Sequence, residues 1–245
     1  MAVVMFIQIE WIFDHIILGP ANDNFVAYKW FCWLGKEFHM DSLCLGAVKI
    51  KFQNTELAGQ FVLSLSVSMA LGFILAFPYI LWEFWKFLRP ALKPTELKYA
   101  RGLVFWCSIL FFFGVLFAYY IVAPYTINFF GSYQLNPKFA NIITINNYYD
   151  TMSDLILGMG IVFELPIIIY FLSRVGILTP KILTSKRRYA IIILVLLAEV
   201  ITPPDAFSWI LVFIPIYVLY EVSILISFRA VKERTRKQAQ RDRDL

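Results

Sequence analysis

The sequence predicts an all-α, polytopic membrane protein, and three properties carry this prediction. Of the 245 residues, 60% are hydrophobic and 16% are charged, whereas soluble domains usually carry about 25% charged residues. The mean hydropathy is +0.69. Several apolar runs exceed the ~18 residues that indicate a spanning helix, and they lack the alternation of a membrane β-barrel. We therefore expect one integral-membrane domain of helices that cross the bilayer several times.

The apolar runs predict five helices after an incomplete first one. Met1–Leu18 contains Glu10, Asp14 and His15 and is cleanly apolar only over Ala2–Ile9. We expect it to be the outer end of a first helix whose inner half is missing. The other predicted helices, all within residues 57–228, are Leu57–Leu81, Gly102–Pro124, Thr151–Ser173, Tyr189–Thr202 and Ala206–Phe228. The fifth rises only about 21 Å, less than the ~30 Å hydrocarbon core, so we expect local thinning of the bilayer.

Lysines and arginines alternate between rich and poor segments, and this alternation predicts the topology. The rich segments are 82–101, 174–188 and the tail 229–245, with five, five and seven basic residues. The positive-inside rule places them in the cytoplasm. The segments that are then extracytoplasmic are 19–60, 125–150 and 202–208.

The extracytoplasmic segment 19–60 leaves two questions open. Apolar residues recur at roughly helical spacing, which is typical of a short amphipathic helix on the membrane surface. The alternative is a packed loop that covers the outer helix ends. The positions concerned are Phe25, Tyr28, Phe31, Cys32 and Leu34. Cys32 and Cys44 form a disulfide if the loop faces an oxidising compartment, or else remain two unpaired thiols.

Glu164 lies near the middle of the fourth predicted helix and is followed by Pro166. A carboxylate at membrane depth is costly, so it must be neutral, paired or in polar surroundings. Pro166 has no N–H to donate and crowds the Val162 carbonyl, so the helix should bend there. The functional interpretation is a polar site for a partner helix. The structural interpretation is that a neutral Glu164 donates to the freed Val162 carbonyl.

A second candidate site lies in the cytoplasmic loop after the second helix. Glu96 follows Pro94 and Thr95, where a carboxylate suits the dipole of the next helix, but it can also accept a bidentate arginine. An aromatic cluster precedes it, made of Trp82, Phe84, Trp85 and Phe87. Alone, the cluster is typical of an interfacial belt. With Glu96 it would form a surface for an arginine-bearing apolar peptide.

Other motifs have structural interpretations, and several classes of site are missing from the sequence. Asp205 follows Pro204 and is expected to cap the sixth helix. Arg187 and Arg188 are interpreted as topology charges. The sequence contains no phosphate-binding loop, no HExxH motif and no metal-type cluster of His and Cys. We expect no enzymatic activity, no cofactor, no metal and no nucleic-acid partner.

Taken in order, several segments resemble the TatC family, the polytopic receptor subunit of the twin-arginine protein translocase. They cover about residues 60–228. The segments are Phe77-Pro78, the Trp82–Glu96 loop, Phe163-Glu164-Leu165-Pro166, Gly176–Pro180, Ile201–Asp205 and Ile214-Pro215 followed by Glu221. The resemblance implies six helices that form a concave wall, with both termini cytoplasmic in a bacterial inner membrane. It also implies recognition of signal peptides with paired arginines and export of folded proteins driven by the proton-motive force.

The resemblance also assigns partners and residues. It implies single-helix subunits of the TatA and TatB kind and a homo-oligomer within the complex. Glu96 matches the loop acid that contacts the arginine pair, Phe87 matches an aromatic of that loop, and Glu164 matches the acid that faces partner helices. We include the neighbouring Trp85 in the peptide site and Pro166 in the polar site, and treat Pro204 and Asp205 as a structural loop.

Two departures from the family pattern and two alternative functions stand beside this interpretation. The sequence begins inside the first predicted helix, so we expect the short charged cytoplasmic segment with which the family usually begins to lie upstream of it. Glu83 stands where the family often has a neutral amide. One alternative is a proton-coupled small-solute carrier that uses Glu164. The sequence halves show no convincing inverted repeat, which such carriers usually have. The other alternative is a purely structural membrane scaffold.

Overall fold

The computed structural model describes residues 1–22, 25–37, 39, 51–88, 102–134, 136, 142–202 and 208–241. The helices are α1 (Ala2–Ile7), α2 (Ile9–Ile12), α3 (Val26–Glu37), α4 (Gly59–Leu88), α5 (Leu103–Phe117), α6 (Ala123–Ser132), α7 (Ile145–Val162), α8 (Leu165–Val175), α9 (Pro180–Ser185), α10 (Arg187–Ile201) and α11 (Ser208–Arg241). Two short strands are β1 (Phe52–Gln53) and β2 (Ile143–Thr144), and π-helical turns occupy Phe13–Ile17 and Ala118–Val122. The chain forms two compact units, Met1–Ala76 with Val115–Met159 and Phe77–Gly114 with Gly160–Leu245.

Among the described residues, four helical segments are long and apolar enough to cross a membrane. They are Gly59–Phe87, Leu103–Ser132, Ile145–Val175 and Trp209–Glu233. The fifth predicted helix corresponds to α10, which has 15 residues and is therefore as short as the sequence predicts. This confirms the predicted class of fold, a polytopic helical membrane protein.

Three helices continue well past their predicted ends, and the second, α4, runs to Leu88 instead of Leu81. The third predicted helix runs to Ser132. A π-helical turn precedes α6, so Pro124 lies in the first turn of α6, where the missing N–H of proline is harmless. The sixth, α11, runs to Arg241. Its last residues are mainly Lys, Arg, Gln and Glu, which favour helix once the chain has left the apolar run.

In the first unit, two tyrosine hydroxyls bind the end of the first helical run, which consists of α1, α2 and the π-helical turn Phe13–Ile17. Tyr119 and Tyr148 donate hydrogen bonds to the carbonyls of Ile16 and Ile17, each at 2.8 Å. Both carbonyls belong to the π-helical turn Phe13–Ile17, at whose end the backbone acceptors have no helical partner. The two hydroxyls therefore satisfy backbone acceptors, one buried and one partly buried, that the turn itself leaves unpaired.

The first helical run packs directly against α4 in the same unit. A Cβ atom at Gly72 would lie 2.9 Å from the Cα atom of Ala2, closer than carbon atoms can approach. Glycine at this position therefore allows the two backbones to touch, as small residues do between membrane helices. β1 and β2 pair in parallel, with Phe52 opposite Ile143, and so bring the starts of α4 and α7 together.

In the second unit, α11 presents a regular buried seam along its length. Ser227 shares a hydrogen bond of 2.7 Å with Ser173 of α8, and both side chains are fully buried. Small residues let membrane helices approach closely, and their hydroxyls then bond across the interface. The buried positions of α11 recur every three or four residues, with Ser223 and Ile224 adjacent: Val212, Ile216, Tyr220, Ser223, Ile224, Ser227 and Ala230.

Candidate functional site

Glu164 lies at a break between α7 and α8, near the middle of the apolar span Ile145–Val175. Its carbonyl accepts hydrogen bonds from the N–H groups of Ile167 and Ile168, both at 3.0 Å. Pro166 occupies the first turn of α8, where its missing N–H leaves no helical bond unmade. The interruption predicted from Glu164 and Pro166 is therefore present.

The Glu164 side chain faces protein interior within the second unit. It is 7% exposed, and its chain neighbour Phe163 is 4% exposed. The Cys107 thiol on α5 lies beside the carboxyl and interacts with it. Within the described part of the chain, the Oε1 atom of Glu164 has no hydrogen-bond partner. A buried polar atom without a hydrogen-bond partner lowers the free energy of unfolding by about 1–3 kcal/mol.

The hydrogen bond from Glu164 to the Val162 carbonyl, which the structural interpretation predicts, does not form. The described hydrogen bonds include none from the Glu164 carboxyl to the Val162 carbonyl, and the carboxyl does not cap α8 either. A second polar group that entered from outside this chain could therefore bond to the carboxyl without displacing a backbone partner.

The predicted aromatic cluster divides between two faces of the last turns of α4. Trp85 packs edge-on against Phe171 of α8, with ring centroids 6.0 Å apart. Phe87 is 80% exposed and lies close to the end of the helix. Glu83 forms an ion pair with Lys86 at 2.8 Å on the exposed surface. Phe87 therefore remains available to a ligand, whereas Trp85 is half-buried against Phe171.

Two ionic contacts on α11 were missed by the sequence analysis. Arg187 at the start of α10 pairs with Glu221 at 3.0 Å, and Tyr217 donates to the same carboxylate at 2.8 Å. Arg174, at the end of α8, pairs with Glu233. The sequence analysis interpreted Arg187 as a topology charge and counted Arg174 among the basic residues of segment 174–188, because nothing in one sequence indicates which acid of another helix an arginine meets.

Comparison with known proteins decides the family. Residues 1–215 match the family "Sec-independent protein translocase protein (TatC)". The chain belongs to the TatC family.

TatC relatives extend over most of the chain. The TatC protein of Blattabacterium sp. subsp. Periplaneta americana is 41% identical over 225 residues, which are 91% of this chain and 85% of the relative. TatCy of Bacillus subtilis is 35% identical over 175 residues, 71% of this chain and 68% of the relative. A crystal structure titled Twin Arginine Translocase Receptor TatC, in DDM, superposes with a TM-score of 0.73 at 28% identity and covers 92% of this chain and 90% of that one.

Four residues named in the sequence analysis lie outside the described residues. They are Glu96, Pro204 and Asp205 of the TatC resemblance, and Cys44 of the possible cysteine pair. Cys32 is disulfide-bonded, whereas Cys107 is a free thiol. Among the described residues, no three His, Cys, Asp or Glu side chains are grouped so that they could hold a metal ion.

The resemblance motif Gly176–Pro180 has a purely local structural explanation. Gly176 ends α8 with a φ of 97°, a left-handed conformation that glycine adopts without strain. Thr179 then caps α9 by accepting a hydrogen bond from the Ile182 N–H, and Pro180 fills the first helical position. The motif therefore reverses the chain between the fourth and fifth helices of this TatC protein.

Proposed function

We propose that this chain is the receptor and core component of a twin-arginine translocase, which exports folded proteins with energy from the proton-motive force. The observation that carries the proposal is the match over nine-tenths of the chain to a structure described as the twin-arginine translocase receptor. Membership of the TatC family agrees with it. The protein would function in a bacterial inner membrane, with both termini in the cytoplasm.

The signal-peptide site is proposed at the cytoplasmic end of α4. Glu96 would accept the paired arginines of the peptide, since a carboxylate bonds guanidinium groups in a bidentate manner. Phe87 would contact the apolar part of the peptide, which its exposure permits. Trp85 would hold the helix in place through its contact with Phe171.

The partner-helix site is proposed at Glu164, with Pro166 maintaining the break that presents it. Single-helix subunits of the TatA or TatB kind would supply a polar group to the carboxyl. The partnerless Oε1 atom, as judged within the described residues, supports this assignment. A requirement for partners also follows from cargo size, because a folded 100-residue protein has a radius of gyration of about 13 Å, too large for a channel enclosed by six helices. The working complex would therefore contain further subunits and further copies of this chain.

A binding experiment tests the peptide site. The full chain in nanodiscs is titrated with a twin-arginine signal peptide, and Glu96→Gln is compared with Glu83→Gln, whose carboxylate already pairs with Lys86. We expect Glu96→Gln to weaken binding by about tenfold or more, since hydrogen bonds to charged groups contribute about 1.5–3 kcal/mol. Glu83→Gln should bind like the wild type.

Two results would count against the proposal at different levels. Equal affinity of wild type and Glu96→Gln would refute the assignment of Glu96 while leaving the receptor function intact. Failure of the wild-type chain to distinguish paired arginines from paired lysines would refute the receptor function, because lysine cannot reproduce bidentate recognition.

A further inference from the structure

Helix α3 carries an apolar stripe that no other described segment covers. Val26, Trp30 and Trp33 are 53%, 70% and 65% exposed. Their spacing of four and then three residues places them on one side of the helix. Two tryptophans exposed on one helical stripe are unusual for a surface in contact with water, so the stripe calls for an occupant.

The opposite side of α3 fixes the direction in which the stripe points. Ala27 and Tyr28 are buried, and the Tyr28 hydroxyl donates to the Pro20 carbonyl at 2.6 Å. Phe25, immediately before the helix, stacks on Tyr120 with ring centroids 5.6 Å apart. α3 is therefore anchored to the first unit by one face while the tryptophan stripe points away.

α3 begins beside the third membrane helix, at the level of that helix's π-helical turn. Phe25 contacts Tyr119 and Tyr120 in the π-helical turn Ala118–Val122. The ten residues of α6 follow that turn and continue for about 15 Å. Tyr120 and Ile121 are themselves exposed on the apolar span, and they continue the lipid-facing surface up to α3.

We propose that α3 lies in the headgroup layer of the bilayer, with Trp30 and Trp33 at the boundary with the acyl chains. Tryptophan is enriched at this depth because its ring is apolar while its N–H still bonds to water or headgroups. Lys29 and Lys36 are exposed along the flank of the stripe, where their ammonium groups can reach phosphates. This charge pattern fits an anionic lipid surface better than an apolar protein partner.

Fluorine NMR with 5-fluorotryptophan tests the proposal on the full chain in nanodiscs that contain anionic lipid. The seven tryptophan signals are assigned by Trp→Phe substitutions. Signal loss is compared between lipids that carry a nitroxide near the headgroup and a water-soluble gadolinium chelate. We expect Trp30 and Trp33 to lose most of their intensity with the nitroxide lipid and little with the chelate. Trp85, which is half-buried and packs against Phe171, is the reference for a ring partly covered by protein.

Either of two other outcomes would overturn the proposal. Loss of the Trp30 and Trp33 signals with the chelate alone would mean that the stripe faces water. Insensitivity of both signals to both reagents would mean that protein, such as a second copy of the chain, covers the stripe. Lys29→Gln combined with Lys36→Gln should weaken the nitroxide effect in anionic nanodiscs and leave it unchanged in zwitterionic ones.

Discussion

At the residue scale, Glu164 combines burial with a carboxyl oxygen that lacks a hydrogen-bond partner within the described part of the chain. Polar contacts between membrane helices contribute about 1–2 kcal/mol in model peptides, so removing this one should reduce partner binding about fivefold or more. We predict that Glu164→Ala loses photo-cross-linking to a TatA- or TatB-like helix while the protein remains folded. The cross-linker is placed at Ile168, which is 48% exposed and one turn further along α8.

Glu199→Ala is the matched control, because Glu199 is an exposed acid on α10 and takes no part in the proposed site. It should cross-link like the wild type. Undiminished cross-linking by Glu164→Ala would exclude Glu164 from the partner site. Aggregation of Glu164→Ala during purification would instead favour a purely structural role for the carboxyl.

At the element scale, the seam between α8 and α11 depends on small side chains at the point of closest approach. Ser173 and Ser227 are fully buried and bonded to each other at 2.7 Å. A leucine at position 227 would force the helices apart, and overpacking of this kind costs about 1–3 kcal/mol. We predict that Ser227→Leu lowers the midpoint of denaturation by sodium dodecyl sulfate. Leu225→Ala, at a position 63% exposed, should leave the midpoint unchanged.

The contradicting result would be a Ser227→Leu protein as stable as the wild type, which would mean that α8 and α11 do not meet at this depth. Ser227→Ala separates volume from hydrogen bonding. It should cost about 1–3 kcal/mol, since it leaves the buried Ser173 hydroxyl without its partner, and any further loss in Ser227→Leu then reports the added bulk.

The helix bounds and contacts also show which parts of the fold the sequence predicts and which it does not. Hydropathy located the apolar centres of the long helices, and the pairing of Glu164 with Pro166 located the break in the fourth. Hydropathy did not indicate that the third helix continues to Ser132 or the sixth to Arg241, because helices also persist through polar residues. The contact of Arg174 with Glu233 joins residues 59 positions apart and depends on tertiary packing that one sequence does not encode as a pattern.

At the scale of the whole molecule, the short α10 raises the question of how the chain reaches the outer surface after residue 188. Arg187, at the start of α10, lies level with Glu221 of α11, since the two side chains pair at 3.0 Å. The helices therefore run antiparallel as a hairpin of about 22 Å, the rise of 15 residues. This is shorter than the ~30 Å hydrocarbon core, so a crossing hairpin requires a thinned bilayer.

The charge pattern predicts that the hairpin does cross, because basic segments flank both of its ends and none lies at its turn. We predict that alkaline phosphatase inserted after Thr202 is active, since the enzyme folds only outside the cytoplasm. Green fluorescent protein fused after Leu245 should fluoresce, as should the same protein inserted after Ser185. An inactive phosphatase together with fluorescence of green fluorescent protein inserted after Thr202 would mean that α10 and the first part of α11 enter the membrane and return without crossing. In that case three of the four long spans, Gly59–Phe87, Leu103–Ser132 and Ile145–Val175, would cross, because α11 contains the fourth and a hairpin that returns to the side it left adds no crossing.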